Sequence, residues 1–393
     1  MPQLTQFLYL NRKGILLGLL GAVLLLGIGS VPFFAFGERS HAPERLVLVS
    51  ILVRHGDRTP TSFYPNDPHR NSTLWANGLG ALTKVGKQKM YEIGRLFRNR
   101  YNDFLSEKYS PNDVYVFSSD SDRCLMSAQL FLAGLFPPVG EQIWNRHIAW
   151  QPIPVHTIPR DLDKVDITTR HLYLWIAKPC PKYSKALNET YSNEFFVRLN
   201  TENADLYKYL EKHSGKPMNY VMDVEGLFNT LEVEKLLNLK LPEWAEKHYD
   251  RMKELALLGL ASLTFTDTTK RLKAGPLLSE VVEHMSKKVL GLMKQDRKLY
   301  LYSGHDVNIV SLLRTLGHEE IEKPEYGASI IFELYRPALN EGDHSVQLLY
   351  LNNSQSSPLP LRIPGCNEPC TLKDFLRITK PMIPVNWEAE CLL

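Results

Sequence analysis

The sequence predicts an α/β fold, a layered sheet carrying a mainly helical insertion, and three patterns carry that expectation. Residues 46–53, LVLVSILV, form a short, nearly unbroken apolar run rich in branched side chains. Such a run suits a strand buried on both faces of a parallel sheet. Val114–Ser118 and Leu299–Tyr302 repeat the type, and each strand-like run leads into a polar loop and then a helical periodicity. Strand, loop and helix in that recurring order imply right-handed α/β layers. Between about 155 and 275 no such strand pattern occurs.

The elements follow in order. After the first strand, Asp57 to Gly80 is polar and turn-rich; Leu82, Val85, Met90, Ile93, Leu96 and Phe97 then recur at helical spacing through Arg100. Helices are expected at Leu125–Leu135 and Val307–Leu316, behind the second and third strands. Ala245–Leu263, and Ser279–Met293 just beyond the insertion, also carry helical patterns. Residues 155–275 therefore read as a mainly helical cap inserted into an α/β domain made of 38–154 and 276–393. Ala328–Tyr335 and Ser345–Leu351 read as an antiparallel pair joined by NEGD.

Composition is that of a packed globular protein, with 44% hydrophobic and 23% charged residues among 393. The formal net charge of +3 is spread over interspersed signs, so no basic tail argues for a nucleic-acid partner. From Gly14 to Gly37 no residue is charged, with Arg12 and Lys13 before the stretch and Glu38 and Arg39 after it. That is long enough to span a bilayer, which takes about 20 apolar residues. The flanking charge favours translocation of everything after it. A signal anchor and a cleaved signal peptide both fit residues 1–37. Either places the body in the secretory pathway, with its catalytic part lumenal, lysosomal or extracellular.

Asn71, Asn188 and Asn352 each open an N-glycosylation triplet in a polar, loop-like context. The five cysteines suit an oxidising compartment. Cys366 and Cys370 lie in GCNEPC, where Gly and Pro bend the chain enough for a small disulfide loop. Cys180 and Cys391 can form a long-range staple, leaving Cys124 as a buried free thiol in a helix-like apolar run. No C-x-x-C pair points to zinc.

Chemistry concentrates where the strands end, the place where α/β sheets bind ligands. Arg54-His55-Gly56-Asp57-Arg58-Thr59-Pro60 follows the first strand, Ser119-Asp120-Ser121-Asp122-Arg123 the second, and Ser303-Gly304-His305-Asp306 the third. Guanidinium groups match phosphate oxygens in pairs and stabilise the charge of phosphoryl transfer. A neutral imidazole nitrogen can attack phosphorus, and a carboxylic acid can protonate the departing alkoxide. Gly56 is expected to let the backbone pass close to the substrate. Singly, each residue reads as structural: a satisfied histidine, a surface arginine, an aspartate capping a helix. Together at successive strand ends they read as a site for a phosphate monoester.

RHGDRTP, SSDSDRCLMSA and YSGHD resemble the three signatures of the histidine acid phosphatases, in the branch of the prostatic and lysosomal enzymes. FPP at 136–138, WQPIPVHTIPRD at 150–161 and IPGC at 363–366 are similar to that branch too. The resemblance runs from about Leu46 to Cys391. It implies a phosphoglycerate-mutase-like layered α/β sheet domain with a helical cap, activity at acid pH, no cofactor and no metal, and often a homodimer. It also implies His55 as nucleophile and Asp306 as proton donor, with Arg54, Arg58, Arg123 and His305 gripping the phosphate of a small phosphomonoester. On this reading Asp306 carries its proton when His55 attacks. Relatives commonly hold three disulfides, of which two pairs can be matched here. No hydrophobic segment follows residue 351, where lysosomal members carry an anchor. Other enzymes of the wider superfamily, mutase-like or inositol-phosphate-cleaving, and a non-catalytic binding ectodomain are the competing readings. The N-terminal segment counts against a cytosolic mutase, and the presence of both His55 and Asp306 against the ectodomain.

Overall fold

The computed structural model describes residues 44–71, 73–159, 179–337, 342–352 and 357–392. The hydrophobic stretch in 1–37 lies outside these residues, as does part of the NEGD connection. Strand β1 (Arg45–Arg54), helix α1 (Lys84–Arg100), strand β2 (Val114–Ser118) and helix α2 (Asp122–Leu135) come first. Helices α3 (Pro181–Tyr191), α4 (Glu194–Glu202), α5 (Ala204–Ser214), α6 (Val221–Leu236), α7 (Glu243–Lys247), α8 (Tyr249–Ser262), α9 (Asp267–Lys273) and α10 (Gly275–Val289) follow. Then come β3 (Leu299–Gly304), α11 (Asp306–Thr315), β4 (Ser329–Arg336), β5 (Ser345–Leu351), β6 (Leu359–Leu361), α12 (Leu372–Thr379) and α13 (Trp387–Cys391). The pattern at Ala245–Leu263 divides at His248, whose φ of −116° leaves the helical range.

The six strands lie in the order β2-β3-β1-β4-β5-β6, with β2, β3 and β1 parallel and β4 to β6 antiparallel. Strand β1 shows why an unbroken apolar run was required. Val49, Ile51 and Val53 pack with Met90, Ile93 and Phe97 of α1 and Phe131 of α2 on one face. Leu48 and Leu52 pack with Leu278 of α10, Ile309 and Leu312 of α11 and Phe375 of α12 on the other. Each such side chain contributes roughly 1.5–3 kcal/mol when fully buried, so β1 is the spine of both layers.

Helices α4 to α8 share a separate core that includes Phe196, Leu210, Leu227, Phe228, Leu231 and Leu255. The loop after β1 is fastened to it. Tyr64 joins that core, and Thr230 of α6 donates its hydroxyl to the Ser62 carbonyl at 2.9 Å. One turn further along α6, the fully buried Glu234 meets the buried Asp67, carboxyl to carboxyl.

Cys180 is bonded to Cys391, 211 residues away, and Cys366 to Cys370; Cys124 is free and buried. Asn71 is exposed. Asn188 lies on helix α3 rather than in a loop, and Thr190 of its triplet is buried with its hydroxyl on the Ala186 carbonyl at 2.9 Å. Asn352, just past β5, is half-buried and accepts from Tyr350 Oη at 2.9 Å. Among the described residues no helix is long and apolar enough to cross a membrane.

Burial, with Asp67 beside it, pushes the Glu234 carboxyl up from its ordinary 4.5 to about 8. The folded state then holds this proton where the unfolded chain has lost it, so stability falls as pH rises from about 4.5 toward 8. The melting temperature is expected to drop by a few degrees between pH 5 and pH 8, and Glu234→Gln to flatten that slope. Scanning calorimetry of both proteins checks it; an equal slope in the variant assigns the loss to other groups.

Candidate active site

The parallel register aligns Arg54 with Gly304 and Ser118 with Ser303, so the loops after β1, β2 and β3 leave the sheet at one level. They bring together the six side chains that the sequence singled out. His55 and His305 have ring centres 5.5 Å apart. A cavity of about 510 Å³ is lined by His55, Arg58, Arg123, His305 and Asp306 at its sheet end and reaches α6, α8 and α9 at the other.

The His55 tautomer follows from its partners. Arginine can only donate. Arg123 Nε lies 3.1 Å from His55 Nε2, so that nitrogen accepts, and the ring proton sits on Nδ1, which donates to the Gly56 carbonyl at 2.9 Å. Burial, then His305, Arg54, Arg58 and Arg123, push the His55 pKa well below the usual imidazole value. His55 therefore keeps an unprotonated Nε2 even in acid. For His305, Arg123 Nη2 approaches Nδ1 at 3.5 Å, and Nε2 is hydrogen-bonded with Ser119 Oγ at 3.0 Å.

The arginines are held in different ways. Arg58 donates from Nη2 to Asn229 Oδ1 of α6 at 2.6 Å and from Nη1 to the Thr59 carbonyl at 3.0 Å. Arg54 stands behind the cavity wall. Its Nη1 reaches the Pro324 carbonyl at 2.6 Å, its Nη2 reaches Asp306 Oδ2 at 2.7 Å, and its guanidinium lies 3.9 Å over the Tyr326 ring. Asp306, the first residue of α11, also accepts from the Val307 amide at 2.8 Å through Oδ1. Burial alone raises the carboxyl, but Arg54, Lys323, His55 and Arg58 outweigh it and hold Asp306 well below the usual carboxylate range. This charge balance favours the ionised carboxylate at Asp306.

Gly56 also departs from expectation. A Cβ there would stand 2.5 Å from the Gly86 carbonyl oxygen of α1, so the close approach that excludes a side chain is to a helix. Its amide donates to Ser127 Oγ of α2 at 3.1 Å, which ties the loop of His55 to both helices on that face.

The cap side of the cavity carries residues that sequence reasoning did not find: Lys216 after α5, Glu225 and Asn229 one turn apart on α6, and Lys273 at the end of α9. Burial and the neighbouring Asp306 raise Glu225 to about 7 against the opposing pull of Lys323, Arg58 and Lys216. The i, i+4 spacing of Glu225 and Asn229 was the one available signal, and it is also what a solvated helix face looks like.

Residues 45–351 match the family model of the histidine phosphatase superfamily, branch 2. The chain belongs to the histidine acid phosphatases. This phosphatase is 37% identical to human lysosomal acid phosphatase over 374 residues, covering 94% of this chain and 84% of that one. It is 36% identical to human prostatic acid phosphatase over 379 residues, 94% of each. Among solved structures it resembles the phytase of Hafnia alvei, with a TM-score of 0.66 at 18% identity over 90% of this chain and 100% of that one. That likeness is one of fold, and it agrees with the α/β class read from the sequence. Family membership makes the protein a phosphomonoester hydrolase that needs no metal.

Asn229→Ala removes the acceptor that orients Arg58. A hydrogen bond to a charged group of this kind is worth about 1.5–3 kcal/mol. KM for a simple aryl phosphate is expected to rise about tenfold with kcat little changed, the pattern of lost binding. Steady-state kinetics check it; an unchanged KM would show that Arg58 keeps its position without Asn229.

Proposed function

We propose that the enzyme hydrolyses phosphate monoesters in acid through a phosphohistidine on His55, with Asp306 serving the leaving group and Arg54, Arg58, Arg123 and His305 holding the phosphate. The observation that carries this reading is the bare Nε2 of His55, fixed by its Nδ1 bond and flanked by Arg123 at 3.1 Å. In the cycle, the substrate phosphate takes over the Arg123 contact and Nε2 attacks phosphorus. The bond to the alkoxide oxygen breaks and that oxygen takes a proton. Water then attacks phosphohistidine, giving up a proton to the Asp306 carboxylate, and His55 is restored. Arg54 acts on phosphate charge from behind Asp306 and sets the acidity of that group.

The acid requirement fits the charges. Burial and the neighbouring cations hold the His55 pKa well below the usual imidazole value, which favours the neutral nucleophile as the pH falls. Asp306 is ionised in the empty site, so its proton arrives with the substrate. Phosphate monoesters keep their second proton below a pKa of about 6. The bound anion offsets Arg54, and Asp306 becomes basic enough to take that proton and pass it on. Activity then declines as the substrate loses its proton.

The lysosomal and prostatic relatives and the two disulfides support a lumenal or extracellular setting. Our finer reading adds an anchor or signal in 1–37, N-glycosylation at Asn71 and Asn352, and a homodimer.

Hydrolysis of p-nitrophenyl phosphate by the 38–393 fragment, from pH 4 to 8, is expected to peak in acid, to be untouched by EDTA and to fall at least about a thousandfold in His55→Ala. Alkaline-stopped samples should hold a labelled phosphohistidine that is lost on acid treatment; its absence from active enzyme would sink the covalent route. In single-turnover phosphorylation of the enzyme, Asp306→Asn is expected to slow alkyl phosphates, with their poor leaving groups, about a hundredfold or more while sparing nitrophenyl phosphate. Equal losses on both would remove Asp306 from the proton-donor role.

A further inference from the structure

Past the phosphate end, the cavity runs against the cap, where Lys216 and Lys273 stand among the apolar side chains of Met222, Leu260 and Leu263. These two cations differ from the arginines at the sheet end. Arg54 has Asp306, Arg58 has Asn229, and Arg123 lies between two histidines. Lys216 Nζ reaches only a carbonyl, that of Asp223, at 3.4 Å. Lys273 makes no ion pair or hydrogen bond with a described residue; its Nζ stands 5.9 Å from the centre of the Tyr183 ring.

A half-buried ammonium without a counter-ion is costly to keep. Burial alone lowers the Lys273 pKa, with no carboxylate to oppose it. The one carboxyl on this wall, Glu225, does not neutralise it: at acid pH it is protonated, because its pKa is raised to about 7. In acid, the cap end of the cavity therefore carries positive charge that no ionised carboxylate among the described residues pairs with. Only the alcohol portion of a substrate reaches this wall while its phosphate lies at His55.

We propose that Lys273, with Lys216, forms a second anion subsite, so that the enzyme selects phosphomonoesters whose alcohol bears a further anionic group, a carboxylate or a second phosphate. The proposal rests on the reading of the sheet end as the phosphate site. It makes the cap lysines specificity-determining residues with no part in the bond-breaking step, so their contribution belongs in KM.

Three substrates built on one carbon chain test it at pH 5: propyl phosphate, 3-phosphooxypropanoate and propane-1,3-diol bisphosphate. Wild-type enzyme is expected to favour at least one of the anionic pair over propyl phosphate by about tenfold in kcat/KM, the worth of one charge-assisted contact. Whichever of the two carries the preference identifies the anion. Lys273→Met should erase most of that preference through KM, and Lys273→Arg should restore it. Lys216→Met supplies the same test if Lys273→Met does not fold. No preference in the wild type, or one that survives both methionine variants, overturns the subsite. Failure to hydrolyse any of the three would instead overturn the phosphatase reading on which it stands.

Discussion

The parallel register of β1 with β3, and of β3 with β2, is the constraint from which the active site is built. Backbone pairing of Arg54 with Gly304 and of Ser118 with Ser303 stops three strands at the same height. The residues that follow have no choice but to meet. A slip of one residue in any of these pairings would turn the buried side chains of that strand toward the opposite layer. The same apolar contacts that stabilise the sheet therefore fix the distance between the two histidines. Helix α1 tightens the arrangement from beneath, since a Cβ at Gly56 would strike the Gly86 carbonyl and one at Gly86 the Asp57 backbone.

Charge at the sheet end is distributed so that each group has one task. Arg123 donates to the Nε2 lone pair of His55, and Arg54 holds the Asp306 carboxyl toward its ionised form. Three arginines at this end make it suited to a negatively charged ligand.

Much of this was legible in the chain. LVLVSILV is buried on both faces, as its unbroken apolar character implied, and the antiparallel pair near the end of the sheet also formed as read. The polar clusters were readable because charged groups immediately after a buried strand have few structural reasons to be there. Other features were not readable. Asn188 reads as a polar loop residue, yet its neighbours Ala186 and Thr190 face inward and make that stretch one side of a helix. Asn229 and Glu225 sit on α6 among residues that alternate between core and surface, and nothing local distinguishes a cavity-facing polar residue from a solvated one. The ionisation of Asp306 depends on Arg54 and Lys323, far off in sequence and adjacent only after folding.

The loop after β1 has an implication beyond its chemistry. It carries Arg58, yet it is riveted to α6 by Tyr64 in the cap core, by Thr230 on the Ser62 carbonyl, by Asn229 on Arg58 and by the buried meeting of Glu234 with Asp67. Helix α6 both lines the cap side of the cavity and supports the loop that carries Arg58. On the proposed reading, changes on α6 itself therefore touch both halves of a substrate at once. A lineage that reshapes α6 to admit a new alcohol must also re-tune its hold on phosphate, and changes of taste in this enzyme should come with changes of affinity for inorganic phosphate.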